Sequence, residues 1–178
     1  KTSVFSGDIA AIGALEASLQ ARGIFTRPVQ ASVAVHGPRV DYLRLELPRH
    51  LLDFHPNAST VPIVSSILGG MIQGENLDAD YWSRQLREPV RFAGSIQHLL
   101  NDGFTAFLEI APHPIVKESI EECIAHTGKC AAAVAVATNW RHEDEGRSIR
   151  EALGTLFVNG VQIINRAETE RKYREEYV

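Results

Sequence analysis

Apolar residues recur at Ile9, Ile12, Leu15 and Leu19, three or four apart, between Asp8 and Gly23. That spacing predicts a helix with one apolar face, started by Asp8 as N-cap and stopped at Gly23. Before it, Thr2–Ser6 reads as a short strand closed by Gly7. After it, Phe25, Val29, Ala31, Val33 and Val35 fall on alternating positions, so Phe25–Val35 is expected to be extended. Val40, Leu43, Leu47, Leu51 and Phe54 predict a second helix over Val40–Phe54, kinked or split by Pro48, which has no N–H to give its own turn. Thr60–Ser66 reads as a buried strand followed by a turn at Gly69-Gly70. Asp78–Leu86 and Val90–Asn101 read as helices separated by Pro89. Phe104–Ile110 then predicts a strand, Ile115–His126 a helix, Ala131–Ala137 a strand, and Ser148–Val158 a helix ended by Asn159-Gly160. Repeated alternation of strand and helix argues for an α/β architecture with a largely parallel sheet. The charged stretch from Arg166 to Val178 reads as a solvated helix or linker.

Composition narrows the function classes. At 178 residues the chain can build one domain or part of a larger one. Its strand-like opening directly after Lys1 suggests a start in mid-domain. A net charge of −4 argues against nucleic acid as the main partner, because phosphate binding needs a concentrated basic surface. No apolar run reaches the ~18 residues of a membrane span, and no signal-peptide pattern occurs, so a cytoplasmic protein is expected. Cys123 and Cys130 stand seven apart with no CxxC, which fits reduced thiols better than a disulfide or a zinc site.

Among the residues able to carry chemistry, His36 stands out. It closes the apolar segment Val33-Ala34-Val35 and precedes Gly37-Pro38, where the backbone turns and a side chain can meet a cleft. A neutral imidazole there can take a proton from a hydroxyl and later return it to a leaving group. The bland alternative is a hydrogen-bonded histidine at a turn. His113 sits in the stiff Ala111-Pro112-His113-Pro114 loop and reads as structural. His50, His55, His98, His126 and His142 share no ligand spacing with acidic or cysteine partners, so no metal site and no bound cofactor is expected. Neither Ser65-Ser66 nor Ser3 and Ser6 has the flanking glycines of a Gly-x-Ser-x-Gly nucleophile elbow, a motif found nowhere in the chain. Arg44, Arg49, Arg87 and Arg91 read as solvated helix positions.

Three segments in order carry a family resemblance: Val33–His36 (VAVH), Asp78–Phe92 (DADYWSRQLREPVRF) and Phe107–Val116 (FLEIAPHPIV). Together they resemble the C-terminal half of the acyl-CoA:acyl-carrier-protein transacylases of polyketide and fatty acid synthases, over about Thr2 to Val161. Ala152–Ile163 is similar to the segment that leads out of such domains into a linker. The resemblance implies part of a ferredoxin-like small subdomain over 1–35 (the strand–helix–strand unit already has that character). The C-terminal part of an α/β-hydrolase-like acyltransferase core follows over 36–145, then a final helix and linker over 146–178. It makes His36 the general base, with Gly37 where the family often has serine, and gives the main-chain carbonyl of Gln85 the task of holding its other ring nitrogen. It makes Val33, Ala34 and Val35 the substrate-binding tetrapeptide positions, whose aliphatic side chains suggest an unusual or non-carboxylated acyl unit.

The implied reaction passes an acyl group, malonyl-type or unusual, from acyl-CoA to the phosphopantetheine thiol of an acyl carrier protein, through an acyl-serine. The serine belongs to an N-terminal half absent from this sequence, so the chain by itself is expected to be inactive. The competing reading is a non-catalytic carrier-protein docking or scaffold module of the same fold; a third, a plain small-molecule-binding α/β domain, leaves the three ordered motifs unexplained.

Overall fold

The computed structural model describes residues 2–29, 33–128 and 132–163. The chain forms two compact units, Thr2–Ser95 and the residues from Ile96 onward. Together they are a mixed α/β structure of six α-helices and four short strands among the described residues.

The first unit opens with α1 (Ile9–Ala21). Asp8 caps it by accepting the Ala10 N–H at 2.9 Å, and the helix closes where Gly23 takes a left-handed φ of +70°. There the Ile24 N–H reaches back to the Leu19 carbonyl and the Gly23 N–H to that of Gln20, which satisfies two orphan carbonyls. The apolar face is less covered than its periodicity predicts: Ile12, Leu15 and Leu19 are half-buried and Ile9 is 88% exposed. Capping and local propensity suffice to form the helix, while burial depends on neighbours. The flanking segments, predicted as strands, form none among the described residues, and Gln30, Ala31 and Ser32 lie outside them. A strand exists only through a ladder partner, which alternation alone does not supply.

A single 3₁₀ turn, Pro38–Val40, leads into α2 (Asp41–His50), with Val40 fully buried. The helix ends four residues before its predicted limit at Phe54. Pro48 lies in its last turn and cannot return an N–H to the Arg44 carbonyl. The buried Ser83 hydroxyl donates to that carbonyl instead, at 2.8 Å, and so joins α2 to α3 (Ala79–Arg87).

Between these helices, β1 (Ile63–Ser65) and β2 (Gly70–Ile72) pair antiparallel in the register Ile63–Ile72, Val64–Met71, Ser65–Gly70. This corrects the expectation of a largely parallel sheet. The turn predicted at Gly69-Gly70 is the tip of a hairpin, made possible by φ +74° at Gly69 and closed by its N–H on the Ser65 carbonyl. Ile67, Ile72 and Tyr81 form the core here, with Ile63 and Leu77 packed against them. Complete burial of such side chains contributes roughly 1.5–3 kcal/mol each. The α3 helix starts at Asp78, whose carboxylate accepts the Tyr81 N–H at 2.8 Å. Helix α4 (Phe92–Asn101) follows Pro89 and runs across the boundary between the units.

The second unit is a strand–helix–strand–helix run: β3 (Ala106–Glu109), α5 (Lys117–Thr127), β4 (Val134–Ala137) and α6 (Glu145–Val158). β3 and β4 are parallel, with Phe107 opposite Ala135 and Glu109 opposite Ala137. Here the predicted strand–helix alternation does give parallel pairing, because α5 makes the crossover. Ala131, the predicted first residue of this strand, and Cys130 lie outside the described residues. Val136, Ala152 and Leu156 are the core. Asp144 caps α6 through the Arg147 N–H at 2.7 Å, and the helix stops at Asn159-Gly160 as predicted, with φ +79° at Gly160.

Candidate active site

His36 is half-buried and has a left-handed backbone, φ +60°. That region costs a non-glycine residue on the order of 1 kcal/mol, so the surroundings must hold it. They do so on both sides. The Ser6 hydroxyl donates to the Val35 carbonyl at 2.7 Å, and the Arg39 guanidinium pairs with the Asp8 carboxylate, which also caps α1. Arg39 holds the Asp8 carboxyl below the usual carboxylate range. Two residues on, Asp41 accepts from Arg87 Nε at 2.5 Å, tying the start of α2 to the end of α3.

The end of α3 receives His36 itself. The His36 N–H donates to the Leu86 carbonyl at 2.7 Å, and Nδ1 lies 2.9 Å from the Glu88 carbonyl oxygen. A carbonyl only accepts, so Nδ1 must carry the proton. In the neutral imidazole the lone pair then resides on Nε2, which is the state a general base needs.

The carbonyl on the ring is therefore that of Glu88, three residues beyond Gln85. Pro89 ends the helix here, and its last carbonyls are left to other donors. Gln85 would receive its helical hydrogen bond from residue 89, which has no N–H, and the chain leaves the helix at Glu88 with ψ 152°. Leu86 and Glu88 present their oxygens to His36, while Gln85 is a half-buried residue of the last turn. The sequence signal was the proline; which freed carbonyl meets the ring is set by the approach of residues 36–41.

Glu88 is itself held. Its N–H donates to the Arg84 carbonyl at 2.8 Å, and its carboxylate accepts from Arg84 Nε at 2.6 Å and from the second guanidinium nitrogen at 3.4 Å. Hydrogen bonding from Arg84 keeps the Glu88 carboxyl below its ordinary range; partial burial opposes this, and the charges of Arg84, Arg44 and Arg91 reinforce it. Arg84 also lines an open cleft of about 340 Å³ with Leu68, Met71 and Tyr81, a cleft that His36 does not line.

Of the tetrapeptide positions, Val33 is 50% exposed while Ala34 and Val35 are half-buried. Ser65 is 1% exposed and bonded to the Tyr81 hydroxyl at 3.0 Å, which leaves it a core residue rather than a nucleophile. His113 belongs to the second unit, in the loop between β3 and α5. That loop is closed by the buried Glu109, whose carboxylate accepts the N–H groups of Ile115, Val116 and Lys117 at 2.7–3.1 Å. Among the described residues no group of histidine, cysteine and acidic side chains is arranged to hold a metal ion, and no helix is long and apolar enough to cross a membrane.

The fold and site define an α/β protein with one histidine fixed on a backbone carbonyl. The acyl transferase domain family model matches residues 1–163, and the chain belongs to that family. It is 32% identical over 163 residues to erythronolide synthase EryA2 of Saccharopolyspora erythraea, covering 92% of this chain and 5% of that protein. Its structure resembles the acyltransferase domain from module 8 of the salinomycin polyketide synthase, with TM-score 0.84 and 33% identity over 88% of this chain and 37% of that one. It also resembles a loading acyltransferase from the avermectin modular polyketide synthase, with TM-score 0.76 and 28% identity over 83% and 45%. The chain thus spans a small fraction of its curated relative and under half of each of these solved chains.

Proposed function

We propose that this chain supplies the histidine base of an acyltransferase that moves an acyl group from CoA to the phosphopantetheine thiol of an acyl carrier protein. The observation that carries this reading is the Nδ1 contact with the Glu88 carbonyl at 2.9 Å, which leaves Nε2 as the basic nitrogen. The nucleophile is a serine on a segment outside these 178 residues, since no Gly-x-Ser-x-Gly occurs within them. Nε2 takes the proton as the serine oxygen attacks the thioester carbonyl, then gives it to the departing CoA sulfur. In the second half-reaction the carrier thiol attacks the acyl-serine, and Nε2 takes the thiol proton and returns it to the serine oxygen.

In this reading residues 1–35 contribute to a ferredoxin-like small subdomain, 36–145 to the larger acyltransferase core, and 146–178 to a final segment, of which residues 164–178, including the charged stretch Arg166–Val178, lie outside the described residues. The setting is the cytoplasm. Val33, Ala34 and Val35 border the acyl group, and their aliphatic character favours an unusual or non-carboxylated unit over malonyl. The test is intact mass of the chain combined with a serine-bearing N-terminal half, after brief exposure to a panel of acyl-CoAs. A covalent acyl adduct on the serine-bearing half, lost in His36→Ala, supports the assignment; malonyl-CoA as clearly the best donor overturns the substrate preference. A complex that never acylates overturns the catalytic reading and leaves a carrier-protein docking module.

A further inference from the structure

We infer that the Arg84–Glu88 ion pair positions His36, acting through the Glu88 backbone to set which ring nitrogen carries the proton. Given the proposed function, this makes both side chains positioning residues for the base, since the hydrogen bond to the ring comes from the Glu88 main chain.

Four restraints converge on Glu88. Its N–H is bonded to the Arg84 carbonyl at 2.8 Å, and its carboxylate to Arg84 Nε at 2.6 Å. Pro89 restricts the preceding residue to extended backbone, and Glu88 is extended, with φ −77° and ψ 152°. Its carbonyl meets His36 Nδ1 at 2.9 Å. Arg84 supplies two of the four from one turn earlier on α3. A helix end is ordinarily where a chain frays, and the carbonyls there have no intrahelical donor to aim them. Here the last residue is tied back to the helix by an i, i+4 bridge, so the carbonyl leaves the helix in a defined direction. The neighbouring Arg87–Asp41 bond fixes the segment that follows His36 against the same helix end. The ring is thereby caught between two parts of one clamp. Without the clamp, the φ +60° backbone and the ring would need to find their geometry against a loose terminus.

The ring tautomer reads this directly and needs no substrate. In the ¹⁵N-labelled chain, long-range proton–nitrogen correlation assigns both His36 ring nitrogens, identified by their loss in His36→Gln. The wild-type ring is expected to hold its proton on Nδ1. Arg84→Met and Glu88→Ala should each lower the ratio of the Nδ1–H to the Nε2–H form about two- to five-fold, the range of a partly exposed ion pair. The exchanged pair Arg84→Glu with Glu88→Arg should recover most of the wild-type ratio. An unchanged ratio in both single variants overturns the inference, as does an exchanged pair that recovers nothing. A reconstituted enzyme that transfers no acyl group would refute the acyltransferase reading separately, because the tautomer is measured without one.

Discussion

His36 and Glu88 are 52 residues apart in the chain, and the ring nitrogen of one lies 2.9 Å from the carbonyl oxygen of the other. A carbonyl in this place performs the orienting half of what a carboxylate does in a Ser-His-Asp triad. It fixes the tautomer without placing a formal negative charge against the ring. The arrangement also explains how a histidine with φ +60° persists, since its N–H and its ring are both bonded to the same helix end.

Removing the side chain of Gln85 should change little, because no part of the His36 restraint passes through it. Gln85→Ala is expected to alter turnover of the reconstituted enzyme less than about two-fold, the scale of a substitution away from such features. Pro89→Ala should do more. An N–H at residue 89 can bond the Gln85 carbonyl, prolong α3 and turn the Glu88 carbonyl away from the ring. Turnover should fall on the order of tenfold, short of the ~10⁴-fold seen when a triad histidine is driven into the wrong tautomer. Steady-state transfer rates of the two variants side by side check this.

The Glu88 carboxyl should titrate below the ordinary glutamate range, chiefly through its hydrogen bonds from Arg84. A carboxylate whose folded value is depressed adds stability above its unfolded value, near 4.5, and loses it as pH falls through the lower folded value. The contribution of the pair is thus expected in full at neutral pH and absent in strong acid. Arg84→Met should raise the Glu88 value toward 4.5 and flatten this part of the stability curve. Carboxyl-carbon NMR titration of wild type and variant measures the shift.

Glu109 holds the entrance of α5 with three backbone N–H bonds while 8% exposed. Glu109→Ala would take the charged acceptor from three part-buried N–H groups, so a loss of about 1.5–3 kcal/mol is expected, above the ~1 kcal/mol of an ordinary N-cap. Urea unfolding of the chain should show a lower midpoint. An unchanged midpoint would mean that water replaces the carboxylate freely.

Ser83→Ala leaves the Arg44 carbonyl without the donor that stands in for the missing N–H of Pro48. The expected cost is about 0.5–1.5 kcal/mol, the net contribution of one part-buried hydrogen bond. Pairing the variant with Pro48→Ala, which returns a backbone N–H, should recover part of it. A double-mutant cycle by chemical denaturation gives the coupling.

Most elements of this chain are written in local chemistry. Asp8, Asp78 and Asp144 start helices by accepting N–H groups, Pro48 shortens one helix and Pro89 ends another, and Gly23, Gly69 and Gly160 take left-handed turns. These effects act within a few residues, so they can be read along the chain. His36 was legible for the same reason, standing between an apolar run and Gly37-Pro38 and followed by the ordered family motifs. What a sequence pattern cannot specify is which distant group a residue meets. Pairing direction at β1–β2 depends on the tight turn between the strands, and the exposure of Ile9 on what packs against α1. Pro89 frees the last carbonyls of α3, yet only the meeting of residues 36–41 with that helix end assigned the ring to Glu88 rather than Gln85. A difference of three residues along the chain is small in sequence and decisive in space, because a hydrogen bond needs its partners within about 3 Å.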